Sequence, residues 1–294
     1  MKSDKHEDLL NNATYGFFAG VLTGMAVATP EFLKVECQRR HVSLFRAIKD
    51  AVRTPDGRWS IRTNTTQSLL LSVPQFSMLF GAVCALEFSV NDEIKKQYGT
   101  AAGIAASGVT GATFLTVADH LMFRSQGGSS YRQSLSYFKA HPNKMAIFTG
   151  FSPMFIRESF FMLTISSIGP YLGRMLEAMS RQSGNEKSDS AKPLDWRWNF
   201  LGTIISGAAT TTASQPFDSV TRAMQKELQA QPKSFGSRPS FVGTFWNNIG
   251  KNTFYKGFAA RFPLAAFGAA SASSIYGQLK GLGESRAERK SSIK

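Results

Sequence analysis

Several charged side chains lie inside long apolar stretches of this sequence, where charge is uncommon. Arg157 and Glu158 are adjacent in one stretch, and Asp119 and Asp218 lie in two others. Such groups are costly in apolar surroundings unless they face water or one another. An arginine binds a carboxylate or phosphate through two parallel hydrogen bonds, and a glutamate accepts hydrogen bonds from an ammonium group. The pair at 157–158 therefore suits a small anion or zwitterion, with an ion pair that serves only packing as the open alternative.

The sequence gives no sign of catalysis or metal binding. Its four histidines are scattered, and its two cysteines, Cys37 and Cys84, cannot build a framework of several disulfides. There is no nucleophile–base set, no cluster of metal ligands and no phosphate-binding glycine loop. We therefore expect no enzyme activity, no catalytic residue, no metal and no cofactor.

An acid, a base-like position and a glutamine recur at three places with one spacing, the second and third residues following the acid by three and seven positions. The sets are Glu31, Lys34 and Gln38; Asp119, Met122 and Gln126; and Asp218, Thr221 and Gln225. A stripe of small residues at every fourth position precedes each set, as in Gly16, Gly20 and Gly24. Small residues at this spacing let helices approach closely in lipid. The recurrence predicts three tandem repeats.

Six segments that are apolar or rich in small residues must position these side chains. They lie near residues 13–37, 65–90, 100–124, 150–177, 198–224 and 257–281. Each is long enough to cross a bilayer, which takes about 20 helical residues. Short amphipathic stretches at 44–52, 131–138 and 241–249 lie between the two segments of each repeat. Any single segment would also suit the core of a soluble helical protein, but the threefold repetition favours a membrane protein.

The repeats divide the chain into six parts. A polar N-terminal tail at 1–12 precedes repeat 1 at 13–97 and repeat 2 at 98–178. A solvated loop at 179–196 precedes repeat 3 at 197–283, and a charged C-terminal tail at 284–294, which we expect to be disordered, follows.

The net charge of +14 and the pI of about 9.9 suit anionic substrates or an anionic membrane surface. No nucleic-acid-binding motif accompanies this charge, so we expect no nucleic acid partner. The N-terminus carries acids and resembles neither a signal peptide nor a transit peptide. An internal signal would therefore direct the protein to any organelle.

Longer motifs extend the repeats. The clearest are Gln215-Pro216-Phe217-Asp218 and Phe254-Tyr255-Lys256-Gly257-Phe258, with a weaker copy in Thr29-Pro30-Glu31. In these motifs the chain resembles the mitochondrial carrier family over about residues 13–281. The resemblance implies an all-α membrane protein of three tandem repeats. In each repeat, two tilted transmembrane helices and one short matrix helix would contribute to a pseudo-three-fold bundle around a central cavity. It also implies a monomeric, multi-pass protein of the mitochondrial inner membrane, with no cleavable presequence evident. The repeats are degenerate, which also fits a microbial protein that is delivered into the mitochondria of a host cell.

The resemblance assigns the repeated charged sets to a gate on the matrix side of the cavity. The residues concerned are Glu31, Lys34, Asp119 and Asp218, with Gln38, Gln126 and Gln225 as braces. Lys34 is the base that remains at the expected positions, so we predict an ion pair between Lys34 and Asp218, with Arg222 and Arg124 as nearby substitutes. The cytoplasmic gate is poorer, and the resemblance assigns to it Glu87, Tyr276 and Lys280.

The resemblance also implies where solute and lipid bind. Solute contacts are expected at Arg157, Glu158, Arg261, Leu71 and Leu264. Cardiolipin is expected at the starts of the short matrix segments and the helices that follow, at Gly57, Asn143, Gly250, Gly150 and Gly257.

The leading hypothesis is a carrier that moves or exchanges a small anionic or zwitterionic metabolite, of the amino acid or carboxylate class, by alternating access. A nucleotide carrier of the ATP/ADP type is the alternative within transport. The eroded gates motivate an alternative of another class, a membrane adaptor with the carrier fold that no longer transports.

Overall fold

The computed structural model describes residues 2–40, 42–52, 64–126, 129–182, 194–230, 238–250, 255 and 258–292. In these ranges all regular structure is helical, which confirms the predicted all-α class. The helices in chain order are α1 (Lys2–Arg40), α2 (Leu44–Val52), α3 (Asn64–Tyr98), α4 (Thr100–Gln126), α5 (Tyr131–Ala140), α6 (Phe151–Leu163), α7 (Gly169–Gln182), α8 (Trp196–Ala230), α9 (Phe241–Gly250) and α10 (Phe258–Ser292). A 3₁₀ turn (Lys144–Phe148) precedes α6, and a turn of π-helix (Thr164–Ile168) joins α6 to α7.

The predicted segments coincide with these helices wherever the structure describes them. The short stretches become α2, α5 and α9, and α5 starts where its sequence provides a capping box. Ser130 Oγ accepts a hydrogen bond from the backbone N–H of Gln133 at 3.2 Å, and Gln133 Oε1 accepts one from the N–H of Ser130 at 2.8 Å. The prediction of a disordered tail from residue 284 is wrong as far as Ser292, because α10 continues to that residue.

The long helices form a closed ring, in which each packs against two neighbours. The order around the ring is α1, α3, α4, α6 with α7, α8, α10 and again α1. Small residues set the closest approaches: a β-carbon on Gly20 of α1 would lie 2.5 Å from Cα of Gly81 on α3. A β-carbon on Gly202 of α8 would lie 2.4 Å from the backbone of both Gly169 and Gly173. The small-residue stripes thus act as packing surfaces, as such stripes do between helices in lipid.

Several polar residues are buried between the helices, whereas many large apolar residues are exposed on the surface of the ring. Thr23, Ser107 and Ser206 are buried, whereas Phe18 of α1 is 54% exposed and Met78 of α3 is 62% exposed. Exposed apolar surface of this extent is typical of a face that another apolar phase covers. Within the described residues, Thr100–Arg124 is the single helix that is long and apolar enough by composition to cross a membrane, with a mean hydropathy of 1.5.

Candidate functional site

Charged side chains from four helices line a partly open cavity inside the ring. The space has a volume of about 120 Å³. Helix α1 contributes Lys34, α4 contributes Asp119, α6 contributes Arg157 and Glu158, and α10 contributes Arg261. Hydroxyl groups and aromatic rings form much of the remaining wall: Thr164, Thr210, Thr211, Ser214, Phe80, Phe160 and Phe161.

Arg157 connects the wall of the cavity to a buried acid on α8. Its Nη1 donates a hydrogen bond to Asp218 Oδ1 at 2.8 Å, while its Nε and Nη2 both lie 2.6 Å from Glu158 Oε1. Asp218 is fully buried, and Glu158 is 4% exposed. One planar guanidinium therefore bridges carboxylates on two helices, a geometry that a lysine cannot reproduce.

Two further ion pairs connect α8 to α1 and α4, which are not its neighbours in the ring. Lys34 Nζ lies 3.6 Å from Asp218 Oδ1, which brings together the two residues that the sequence predicted to pair. Arg222 Nη2 donates to Asp119 Oδ1 at 2.6 Å, so the base named as a substitute contacts the acid of the second set. Gln225 braces this pair, since its Oε1 accepts a hydrogen bond from Arg222 Nη1 at 3.2 Å.

Other residues of the predicted gate either contact a residue outside the gate or lie outside the described residues. The guanidinium of Arg124 stacks over the ring of Tyr137 on α5, 3.9 Å from its centroid. The side chains of Glu31, Gln38 and Gln126 lie outside the described part of the structure.

Arg261 is the second arginine of the cavity wall. Its Nη1 donates to Gln215 Oε1 at 3.0 Å and its Nη2 donates to Ser214 Oγ at 3.1 Å. These two acceptors on α8 hold the guanidinium at the cavity wall. The side chains of Leu71 and Leu264, predicted at the same level, lie outside the described residues.

A pair of hydroxyl groups in the cavity wall was not predicted from the sequence. Thr164, in the π-helical turn, and Thr210 of α8 form a hydrogen bond between their Oγ1 atoms at 2.6 Å. Thr210 stands in the stripe of small residues of α8, and a hydroxyl in that stripe was the available signal. Turns of π-helix within α-helices occur frequently at functional sites.

A separate polar network joins the helices at the end of the ring where α1 begins and α10 ends. Lys280 Nζ lies 2.7 Å from Asp92 Oδ2, and the hydroxyl of Tyr276 donates to the same oxygen at 2.8 Å. The ring of Phe88 stacks on Tyr276 with centroids 4.2 Å apart. Asp92 was not predicted in this network. A signal was present in the sequence, because Lys95 follows Asp92 by three positions, as Lys280 follows Gly277.

Glu87, predicted in this network, lies elsewhere. It is buried, at 1% exposure, and its carboxyl packs against Gly111 of α4. Glu87 therefore lies beside Glu158 of the cavity wall. Asp92, and not Glu87, is the acid that contacts Tyr276 and Lys280.

A second cavity, of about 770 Å³, opens between α6 and α9. The residues Gly150, Met145, Arg238 and Phe241 contribute to its wall, and α6 and α9 both start at it. Asn143, which caps the 3₁₀ turn, accepts a hydrogen bond from the N–H of Met145 at 3.0 Å. Gly57 and Gly257 lie outside the described residues, and Gly250 is the last residue of α9.

The sequence is similar to known carrier proteins. The family model for mitochondrial carrier proteins matches residues 192–286. The mitochondrial glycine transporter YMC1 of Saccharomyces cerevisiae is 26% identical over 206 residues, which are 63% of this chain and 65% of that protein. The chain therefore spans somewhat less than two thirds of this relative's length. The family match over residues 192–286 and this relative both support a divergent member of the mitochondrial carrier family.

Proposed function

We propose that the protein is a transmembrane carrier of the mitochondrial inner membrane that moves or exchanges a small anionic or zwitterionic metabolite. The observation that carries the proposal is the convergence of Arg157, Arg261 and Glu158 on one cavity. Membership of the carrier family and the similarity to a protein named as a glycine transporter support it. The amino acids, and small carboxylates with them, are the class of solute that we propose.

The charges of the cavity complement both ends of an amino acid. The arginines offer planar N–H groups to a carboxylate, and Glu158 offers acceptor oxygens to an ammonium group. The hydroxyls of Thr164 and Thr210 add neutral hydrogen-bonding groups between them. A site with convergent polar groups in an otherwise apolar cavity is the usual arrangement for small-molecule binding.

The closed ring supports a membrane-spanning bundle of three repeats. Each proposed repeat would contain two long helical segments and one short helix, and the outward apolar residues would face lipid. The ion pairs of Asp218 and Asp119 would close the cavity at the matrix side, and the Asp92–Lys280 pair would close it at the other. Alternating access would then break one set at a time around a fixed central site.

The size of the cavity favours a small solute over a nucleotide. Its volume of about 120 Å³ is well below the roughly 300–1,000 Å³ that drug-sized ligands occupy. A nucleotide would need the walls to move apart, whereas a compact zwitterion would not.

Purified protein in liposomes tests the proposal directly. Glycine and other small amino acids should enter the vesicles and should raise the melting temperature of the protein, whereas ATP and ADP should do neither. A ligand at 100 times its Kd stabilises the folded state by about 2.7 kcal/mol, which a melting assay detects easily. Stabilisation by nucleotides alone would favour the nucleotide alternative. Failure of amino acids, carboxylates and nucleotides, under conditions where a control carrier works, would favour the non-transporting adaptor.

We also propose that the second cavity binds an anionic lipid headgroup, with cardiolipin as the candidate. Two helices start at this cavity, and the N–H groups of a helix start attract phosphate. Arg238, which donates to the carbonyl of Met145 at 3.3 Å, adds a positive charge at its wall.

Replacing Arg238 with alanine should reduce the stabilisation of the protein by cardiolipin. A juxtamembrane basic residue contributes about 1 kcal/mol to the binding of anionic lipid, so we expect roughly a fivefold weaker effect. Thermal unfolding in detergent with and without added cardiolipin measures it. Arg132, exposed on α5, is the control position, and equal responses of the Arg238→Ala and Arg132→Ala proteins would contradict the assignment.

A further inference from the structure

Two buried glutamates, Glu87 of α3 and Glu158 of α6, converge on Gly111 of α4. A β-carbon on Gly111 would overlap Oε1 of Glu87 and would lie 3.3 Å from Cγ of Glu158. Both glutamates are almost inaccessible to water, at 1% and 4% exposure. The two side chains therefore share one small volume next to the cavity, and Glu158 forms part of the cavity wall.

The surroundings neutralise this pair of carboxyl groups incompletely. Oε1 of Glu87 has no hydrogen-bond partner among the described residues. Glu158 contacts Arg157, but that guanidinium also contacts Asp218. Among the described residues, the thiol of Cys84 on α3 is a further titratable group beside the pair. Since two adjacent carboxylates repel each other and lose hydration on burial, such a pair is most stable when it holds one proton.

We propose that Glu87, buried beside Glu158, holds a proton while the cavity is empty, and that the ammonium group of a solute displaces this proton when it binds at Glu158. The inference rests on the proposed function, because it requires a solute with an ammonium group. On binding, the O–H bond of the protonated carboxyl breaks and its proton passes to water. The ammonium group then supplies the positive charge that the proton had supplied, so the net charge around the two carboxyl groups is conserved.

Proton release on binding is the measurable consequence. In weakly buffered solution, a pH indicator should record one proton released for each glycine that the purified protein binds. Acetate carries a carboxylate without an ammonium group, so its binding should release none. Because glycine binding expels a proton, the affinity should rise about tenfold per pH unit while the empty pair still holds that proton.

A variant that removes one acid without changing its shape isolates the pair. Glu87→Gln should bind glycine without releasing a proton, and its affinity should not depend on pH in the same range. Glu93→Gln, on the same helix, is the matched control, since Glu93 accepts a hydrogen bond from Gln97 at 3.3 Å on the exposed part of α3. The control should release a proton as the unmodified protein does.

The outcomes separate this inference from the proposed function. Glycine binding without proton release by the unmodified protein overturns the inference alone, as does full release by Glu87→Gln. Infrared spectroscopy of the empty protein adds a test that needs no solute: the band of a protonated carboxyl should be present and should disappear in Glu87→Gln, and its absence from the unmodified protein overturns the inference. If ammonium-bearing solutes do not bind at all, the proposed amino acid function fails and the displacement fails with it.

Discussion

Replacing Arg157 with alanine should abolish solute transport while the protein still inserts and folds. Arg157 lines the cavity and donates hydrogen bonds to Asp218 and Glu158. A hydrogen bond to a charged group contributes about 1.5–3 kcal/mol, so the loss of one such contact to the solute weakens its affinity roughly ten- to a hundredfold. Asp218 keeps Lys34 as a partner in this variant, which favours folding. Glycine uptake into proteoliposomes, measured beside the melting temperature, checks the expectation.

Arg157→Lys should also fail or nearly fail, because a compact ammonium cannot reproduce the planar contacts that the guanidinium makes with two carboxylates. Arg181→Ala provides the control, since Arg181 pairs with Glu177 at 2.6 Å on α7 and is 28% exposed. Full transport by a folded Arg157→Ala protein would remove Arg157 from the solute site. Unfolding of Arg157→Ala, but not of Arg181→Ala, would indicate that the ion pair serves packing alone.

The helices were predictable because apolar composition and small-residue spacing act within one segment. The end of α10 was not predictable by that signal, since Glu284, Arg286 and Glu288 mark the end of the apolar pattern. Alanine, glutamate, arginine and lysine are nevertheless strong helix formers, and they favour continuation of the helix to Ser292. The π-helical turn at Thr164–Ile168 also has no sequence signal that we recognise.

The candidate site was predictable where the repeats define it and less so where it depends on neighbouring helices. The recurrence of an acid with a base three positions later indicated both Lys34 and Asp218, which lie 3.6 Å apart. It did not indicate that Arg222, one turn beyond Asp218, reaches Asp119 on α4. Glu87 was predicted to lie with Lys280, but Asp92 is the acid that contacts Lys280, and this difference also depends on how neighbouring helices pack. Both lie on α3, and only the rotation of that helix in the ring decides which acid faces Lys280 and which faces Gly111.

The largest loss of stability should follow the substitution of Asp218 by asparagine. Asp218 is fully buried and contacts both Lys34 and Arg157, so this nearly isosteric change leaves the buried Lys34 and the partly buried Arg157 without their shared carboxylate. Breaking a buried ion pair by removing one partner costs about 3–5 kcal/mol. Asp50→Asn is the matched control, because Asp50 pairs with Arg40 at 2.8 Å on the surface, where such a pair contributes about 0–1 kcal/mol. Denaturation of the two purified variants in the same detergent compares these costs.

A second substitution distinguishes the loss of neutralisation from a general defect of packing. In the Asp218→Asn background, Lys34→Met removes one of the two cations that the Asp218 carboxylate had neutralised, so the double variant should regain part of the lost stability. Lys34→Met alone should destabilise less than Asp218→Asn, because Arg157 still neutralises Asp218 at 2.8 Å. The coupling between Lys34 and Asp218 in this double-mutant cycle should exceed about 1 kcal/mol, beyond the range of exposed pairs. Strictly additive effects would show that the two residues do not stabilise each other, and that their ion pair does not hold α1 and α8 together.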